Sequence, residues 1–342
     1  DYAERIFKQI QGFGEYGFPE SHAASFALLV YVSVWLKCHH PDAFLAALLN
    51  SQPMGFYSPA QLVRDAREHG VRVLPVDVQC SAWESTLEGA IAPVTADAPV
   101  GAFHCGLRTV RLGLNRISGL PQDVAERIVA ARAQAPLRSA EDLARRAQLD
   151  AHALRLLAQA DALLPLAGHR HGAAWAVAGV DTRATPLLQD TRTLEASATL
   201  AAPDAATTVL ADYRTLGLSL SQHPVALLRP QLASFKVQPA AVLMTYPNGR
   251  LARASGIVTH RQRPETAKGV VFVTLEDETG TVNVIVWPAV AEAQRRALLA
   301  STLLTVYGVW QCEGEVRHLV AKTLVDHSSL LQGLATHSRN FR

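Results

Sequence analysis

A chain of 342 residues, 49% hydrophobic and 18% charged, is long enough to bury two or three cores and too apolar to be disordered. Its formal net charge of +2 permits nucleic-acid binding without arguing for it, so any such contact must come from local patches. The four cysteines, Cys38, Cys80, Cys105 and Cys312, stand at no metal-ligand spacing and make no disulfide framework, which fits a reducing cytoplasm. The longest uncharged apolar stretch, Ala23 to Leu36, is too short to span a bilayer and reads as a buried core helix. The chain opens on Asp1 within a helical pattern, as a piece of a longer protein would.

In chain order, residues 1–78 are expected to be mostly helical. Glu4 to Gln11 is amphipathic, Ala23 to Lys37 is apolar, and Pro41 to Asn50 is shorter. Ser58 caps a helix running to His69, with Pro59 at its first position and Gly70 ending it. Val71 to Leu74 alternates as a strand, and Gly101–Cys105 and Thr109–Leu112 are further short strand candidates. Helices are expected over Gln122–Ala133, Ser139–Arg146 and Ala151–Ala160, the second opening on a capping box of Ser139 and Asp142. Residues 181–210, rich in Ala, Thr, Asp and Pro, read as a linker, with order resuming near Leu216–Leu220 and His223-Pro224.

From Leu251 the period changes to two. Ser255–Thr259, Val270–Leu275, Val282–Trp287, Leu303–Val309 and His318–Ala321 are strands, and a helix, Val290 to Ala300, falls between the third and fourth. That order is the layout of an OB-fold barrel. Glu276-Asp277-Glu278-Thr279-Gly280, joining the second and third strands, is expected to be a solvated acidic turn.

Several motifs are set aside on physical grounds. Gly12 to Gly17 satisfies GxGxxG, but a dinucleotide site needs a strand before it and a helix at its third glycine, and here a helix precedes and Phe18-Pro19 follows. His39-His40 and His169-Arg170-His171 lack cysteine or carboxylate partners at ligand spacing. No GxSxG elbow supports a hydrolase. Tyr16, Ser21 and His22 sit at the start of a long helix, where N–H groups and partial positive charge suit an anion; from the residues alone, ring packing and a capping serine are the more ordinary account of them.

Three segments in order carry a resemblance. Phe18-Pro19-Glu20-Ser21-His22, His40-Pro41-Asp42-Ala43-Phe44 and Val73-Leu74-Pro75-Val76-Asp77-Val78 resemble the end of the fingers in bacterial C-family DNA polymerases, proteins like the polymerase III alpha subunit. They look like the error-prone, translesion branch, since the replicative branch usually has Asn-Lys where Pro19-Glu20 stand. Ser338–Arg342 also looks like that branch's terminus.

The resemblance implies a multidomain α+β chain: residues 1–78 as the fingers end, 79–180 as a short β segment with a tandem helix-hairpin-helix, 181–250 as a connector, 251–326 as an OB-fold barrel and 327–342 as a tail. By the same resemblance Tyr16, Ser21 and His22 face the incoming dNTP, with His22 excluding a ribose, and Glu20 removes a positive charge that the replicative branch carries. Gly113 to Ala133 resembles the first hairpin, whose Ser118, Gly119 and Leu120 would offer backbone N–H groups to a duplex phosphate. Pro121 cannot donate, and Arg108, Arg111 and Arg116 could compensate by charge. In the barrel, Arg261, Arg263 and Lys268 are placed in the first loop against single-stranded DNA. Phe272 and Trp287 either stack bases or fill the core; alternation allows both.

The resemblance further implies that the catalytic carboxylates and their Mg²⁺ lie in an upstream palm, so that this segment alone should not polymerise. The implied partners are primer–template DNA and an accessory Y-family-like mutagenesis protein that links to the sliding clamp, because no clamp-binding peptide is found between Asp181 and Val242. No metal-ligand residues and no membrane segment are expected here. The rival from another class is a non-catalytic single-strand-binding or scaffold protein that uses its OB fold alone.

Overall fold

In the computed structural model, which describes residues 2, 4–7, 20–54, 57–89, 106–181, 199–331 and 339–341, the chain divides into two units. The first comprises Asp1–Val76 with Cys80–Asn115, and the second Asp77–Gln79 with Arg116–Arg342.

The first unit holds helices α1 (Glu20–His39), α2 (Pro41–Asn50) and α3 (Pro59–Glu68). Its small sheet has the order β1-β3-β2, where β1 is Val73–Leu74, β2 is Thr86–Glu88 and β3 is Thr109–Arg111. The start of α3 follows the expectation: Ser58 accepts from the Gln61 N–H while the Gln61 side chain accepts from the Ser58 N–H. Gly70 then takes φ +83°, a left-handed value that suits glycine at a helix end. Asn50 ties α2 to the β2 segment, donating to the Ser85 carbonyl at 3.0 Å and accepting its N–H at 2.7 Å. Leu45, Leu49, Val63 and Val110 are buried among these elements.

One expectation fails here. The apolar stretch within α1 is not buried: Phe26, Leu28, Leu29, Val30, Tyr31, Val34 and Trp35 are all exposed, Leu28 by 64%. A helix apolar on every side needs neighbours on every side. The described residues cover little more than its C-terminal end, where Lys37 pairs with Asp65 on α3 at 2.8 Å. The candidate strand Gly101–Cys105 lies outside the described residues.

The second unit begins with a helical cluster: α4 (Gln122–Gln134), α5 (Ala140–Arg146), α6 (Ala151–Gln159), α7 (Leu164–Ala167) and α8 (Arg170–Ala178). Ile128, Leu143, Leu154 and Leu157 form its apolar centre, none of them measurably exposed. Helices α4 and α5 are cross-tied. Arg127 donates to the Ala147 carbonyl at 3.0 Å, and Arg146 donates to the carbonyls of Ala131, Ala135 and Pro136 at the end of α4. Such arginines satisfy terminal carbonyls that no helical N–H can reach.

The expected linker is partly helix. Residues 182–198 lie outside the described residues. Beyond them Asp204 caps α9 (Ala205–Leu216) by accepting from the Thr207 N–H, and Gly217 ends it at φ +73°. α10 (Pro224–Ser234) and α11 (Ala240–Leu243) complete the connector. α9 is bound to the helical cluster by a buried ion pair, Arg170 to Asp212 at 2.6 Å, with Ser219 donating to the other Asp212 oxygen at 2.7 Å.

The barrel comprises β4 (Leu251–Gln262), β5 (Val271–Asp277), β6 (Gly280–Val286), β7 (Leu303–Glu313) and β8 (Val316–Asp326). The sheet order β5-β6-β8-β7-β4 closes through an additional β5–β4 pairing, and β6 and β8 run parallel. α12 (Pro288–Ala293) and α13 (Arg295–Ala300) occupy the place of the expected single helix. Alternate side chains of every strand point inward, and Trp310, Val284, Val286, Leu304 and Val306 lie in the core. Closure demands two close approaches. β4 turns from β7 to β5 at Gly256, where a Cβ would lie 2.7 Å from the Glu276 carbonyl oxygen. At Gly308, beside a register shift between β7 and β8, a Cβ would lie 2.1 Å from the Val320 oxygen. A last strand, β9 (Arg339–Phe341), adds in parallel to the end of β4.

Candidate nucleic-acid interface

The outer face of β5 and β6 is built by alternation. Val271, Val273 and Leu275 point into the barrel, so Phe272 and Thr274 point out. On β6, Val282, Val284 and Val286 are buried, which leaves Asn283 and Ile285 outside. Phe272 is paired directly across from Ile285, and Trp287 follows where β6 ends. Phe272 is 37% exposed and Trp287 53%, so the alternative left open by alternation is decided: neither ring belongs to the core. Together with Val270, Ile285, Pro288 and Lys268 they line a shallow apolar groove on the barrel surface.

Arg263 and Lys268 lie on the exposed loop between β4 and β5. An atom added at Gly269 would sit 3.6 Å from Arg263 Nη2 and 3.6 Å from Pro288 Cγ, which places that guanidinium beside the groove. Cations beside exposed rings form the arrangement that holds a single strand, with bases on the rings and phosphates on the charges.

Arg261 departs from its expected place. It sits on β4, not in the loop, and is only 5% exposed. Its Nε donates to the Leu298 carbonyl at 2.7 Å and its Nη2 to the Ser301 carbonyl, so it braces the end of α13. Burial pushes its pKa below the ordinary guanidinium value, with Asp326 opposing. The loop therefore presents two of the three expected cations.

The acidic turn is also corrected. Glu276 and Asp277 are 7% and 4% exposed, not solvated. Arg229 on α10 donates to both Glu278 oxygens, Nε to Oε1 at 2.6 Å and Nη2 to Oε2 at 2.7 Å, and reaches Asp277 at 3.1 Å. Asp277 also accepts N–H groups from Ala240, Thr279 and Gly280. His223 Nε2 lies 3.5 Å from Glu276 Oε1. Burial lowers the Arg229 pKa, but Glu278 and Asp277 outweigh it and hold the guanidinium firmly charged. The connector thus ties two of the turn's three carboxylates to Arg229. Nothing in the linear pattern marks Arg229 as their partner, because it lies about fifty positions upstream with no periodic relation to the turn.

The hairpin region is mixed. Ser118 is exposed, yet its N–H donates to the Thr215 carbonyl at 2.8 Å. Leu120 is buried and its N–H donates to the Ile117 carbonyl at 3.2 Å. Two of the expected phosphate donors are therefore used internally. Gly119 takes φ +81°, and Pro121, at the N-cap of α4, offers no side-chain acceptor to the opening N–H groups of that helix. Arg116 is half-buried, and burial lowers its pKa. Arg111 is withdrawn from the basic set: it forms a bidentate pair with Glu88 at 2.8 and 3.1 Å and donates to the Pro75 carbonyl at 3.1 Å. Arg108 is partly exposed, with its backbone N–H on Asp42 Oδ2 at 3.0 Å. Arg108 and Arg111 belong to the first unit and Arg116 to the second.

At the start of α1, His22 is exposed and meets the Phe26 ring edge-on at 4.5 Å. Tyr16 and the Ser21 side chain lie outside the described residues.

Two family profiles match these regions: a "Helix-hairpin-helix motif" over residues 70–173 and an "OB-fold nucleic acid binding domain" over residues 252–325. Among curated proteins, the error-prone DNA polymerase of Bordetella parapertussis is 58% identical over 100% of this chain and 32% of its own length. That of Ralstonia nicotianae is 56% identical over 99% and 31%, and that of Alkalilimnicola ehrlichii 52% identical over 100% and 32%. The chain is similar, from end to end, to error-prone DNA polymerases. It spans about a third of the length of these curated relatives. The error-prone polymerase likeness thus runs through both matched modules, the helical cluster and the closed barrel. No described helix is long and apolar enough to cross a membrane.

Proposed function

We propose that this chain is the nucleic-acid-gripping part of an error-prone DNA polymerase that copies damaged template. The barrel holds the single-stranded template, with Phe272 and Trp287 as base platforms and Arg263 and Lys268 on phosphates. The helical cluster steadies the duplex through the N-terminal end of α4 and nearby arginines, without reading bases. The start of α1, with Tyr16, Ser21 and His22, faces the incoming dNTP. Phosphoryl transfer then belongs to metal-holding carboxylates in a palm outside this chain, and an accessory Y-family-like protein supplies clamp contact.

The observation that carries this reading is the exposure of Phe272 and Trp287 on one groove with two loop cations beside it. The test is fluorescence anisotropy with labelled oligothymidylate. Phe272→Ala with Trp287→Ala should weaken binding at least roughly tenfold, as loss of two stacking platforms does. Undiminished binding by the double variant would reject the platform. Adding the upstream palm should create primer extension, which the rival scaffold reading does not allow.

A further inference from the structure

The outward positions of the barrel line up in rows that run on past the groove. Phe272 pairs with Ile285, Ile285 with Val320, Val320 with Val309 and Val309 with Leu251. Their strand neighbours Val284, Val286, Leu319, Ala321, Trp310 and Ala252 all lie in the core, so alternation turns the whole row outward. Ile285, Val320 and Val309 are partly exposed, and Leu251 at the far end is 73% exposed. One unbroken apolar band thus leads from the groove across β8 and β7 to β4. Four strand spacings, roughly 19 Å along the surface, separate Phe272 from Leu251.

A neighbouring row ends the band in a different chemistry. Arg253 pairs with Tyr307, and Tyr307 with Thr323. Arg253 is exposed and Tyr307 partly so. The guanidinium lies 4.9 Å from the Tyr307 ring centroid, a cation over an aromatic face. Its Nη1 donates to the Phe235 carbonyl at 2.9 Å. Both partners are uncharged, so they hold the side chain in place and leave its positive charge uncancelled. Lys322, next to Thr323, is exposed as well. From Phe272 to Leu251 and from Thr323 to Arg253, neither row contains an acid. β7 and β8 carry acids only at their ends, Glu313 and Asp326. A contiguous apolar surface rimmed by polar side chains marks an interaction site, where single exposed apolar residues do not. An aromatic with cations beside it repeats the make-up of the groove, where Phe272 and Trp287 stand near Arg263 and Lys268.

We propose that Tyr307 and Arg253 form a second station for single-stranded DNA, on the β4–β7 side of the barrel. The strand leaves the groove along the Ile285–Val320–Val309 band to reach it. The aliphatic band gives sugars and base edges an apolar track, Tyr307 gives a base its ring, and Arg253 gives a phosphate its charge. The inference rests on the barrel reading above.

The test uses the 342-residue chain and anisotropy across a salt series, with Phe272→Ala measured alongside. The probe is labelled oligothymidylate of about sixteen nucleotides, the upper end of the site size of one such barrel. Leu251→Glu sets a carboxylate on the path and should weaken binding about fivefold or more, as like charges facing each other do. That position lies outside the core, so the variant should melt like the parent and its lost affinity reads the path and not the fold. Tyr307→Leu keeps the site apolar without its ring and should also cost about fivefold. Arg253→Gln should lower the slope of log affinity against log salt by about 0.7, one phosphate contact on a single strand. If Leu251→Glu binds like the parent, or Arg253→Gln keeps the parent slope, while Phe272→Ala is weakened, the strand stays in the groove and the inference falls while the barrel reading stands. If Phe272→Ala is also without effect, both fall.

Discussion

Arg229 and Glu278 meet fork to fork, nitrogen to oxygen at 2.6 and 2.7 Å, and the same guanidinium reaches the almost fully buried Asp277. The pair fastens a connector helix to the turn between two barrel strands. Arg229→Ala should cost about 3 kcal/mol, the lower end for removing one partner of a buried ion pair, since Asp277 keeps three backbone N–H donors. Arg229→Lys should recover little of it, because an ammonium cannot supply the two parallel bonds. Urea unfolding midpoints measure both, and a neutral Arg229→Ala would contradict the assignment.

Arg261 and Arg263 are two positions apart and should behave oppositely. Arg261→Ala leaves the buried carbonyls of Leu298 and Ser301 without their donor and should destabilise the barrel by roughly 2 kcal/mol. Its oligonucleotide affinity, measured well below the melting temperature, should not change. Arg263→Gln should leave stability within about 0.5 kcal/mol and flatten the salt dependence of binding. The reverse pattern would return Arg261 to the interface.

Asp161 carries a pH signature. Burial raises its pKa, neighbouring Asp212 adds to the rise and Arg170 opposes it, while its Oδ1 finds no hydrogen-bond partner among the described residues. A carboxyl whose folded pKa is raised favours folding below the ordinary aspartate value and opposes folding once it ionises. Asp161→Asn should therefore raise the melting temperature at neutral pH. Asparagine also accepts the left-handed φ of +59° found there. The gain should shrink as pH falls towards the ordinary carboxylate range; a gain independent of pH would assign it to backbone preference alone.

Gly308→Ala should cost about 3 kcal/mol, because the added carbon meets a backbone oxygen that its paired strand cannot move aside. Gly179→Ala is the control, since the nearest atom is 3.8 Å away. Thermal melts of the two variants should differ by several degrees, and equal melts would mean that the barrel relaxes at Gly308.

The barrel was legible because alternation, turn residues and an intervening helix all declare themselves locally. Its five strands stand in the expected order from Leu251 onward, although β4, β7 and β8 run four to seven residues longer than their apolar runs. The caps at Ser58 and Ser139 were legible for the same reason. What escaped were relations across sequence. Arg111 reads as a free cation until Glu88 is brought beside it, and Arg261 reads as a loop residue because β4 outlasts its apolar run. The helix from Ala205 was hidden in an Ala- and Thr-rich stretch, although Asp204 and Gly217 bracket it. The apolar run of α1 shows what that helix needs around it, and no periodicity can say where the needed neighbours come from.

The exposed rings and branched side chains along α1 have a practical consequence at the bench. An uncovered apolar rod of this kind favours clumping over monodispersity. Light scattering of the isolated chain should rise with concentration, and a version beginning at His40 should stay monomeric while still melting as a barrel. Oligonucleotide titrations therefore belong at dilute protein, or with the shortened form, where self-association does not mimic cooperative uptake of DNA.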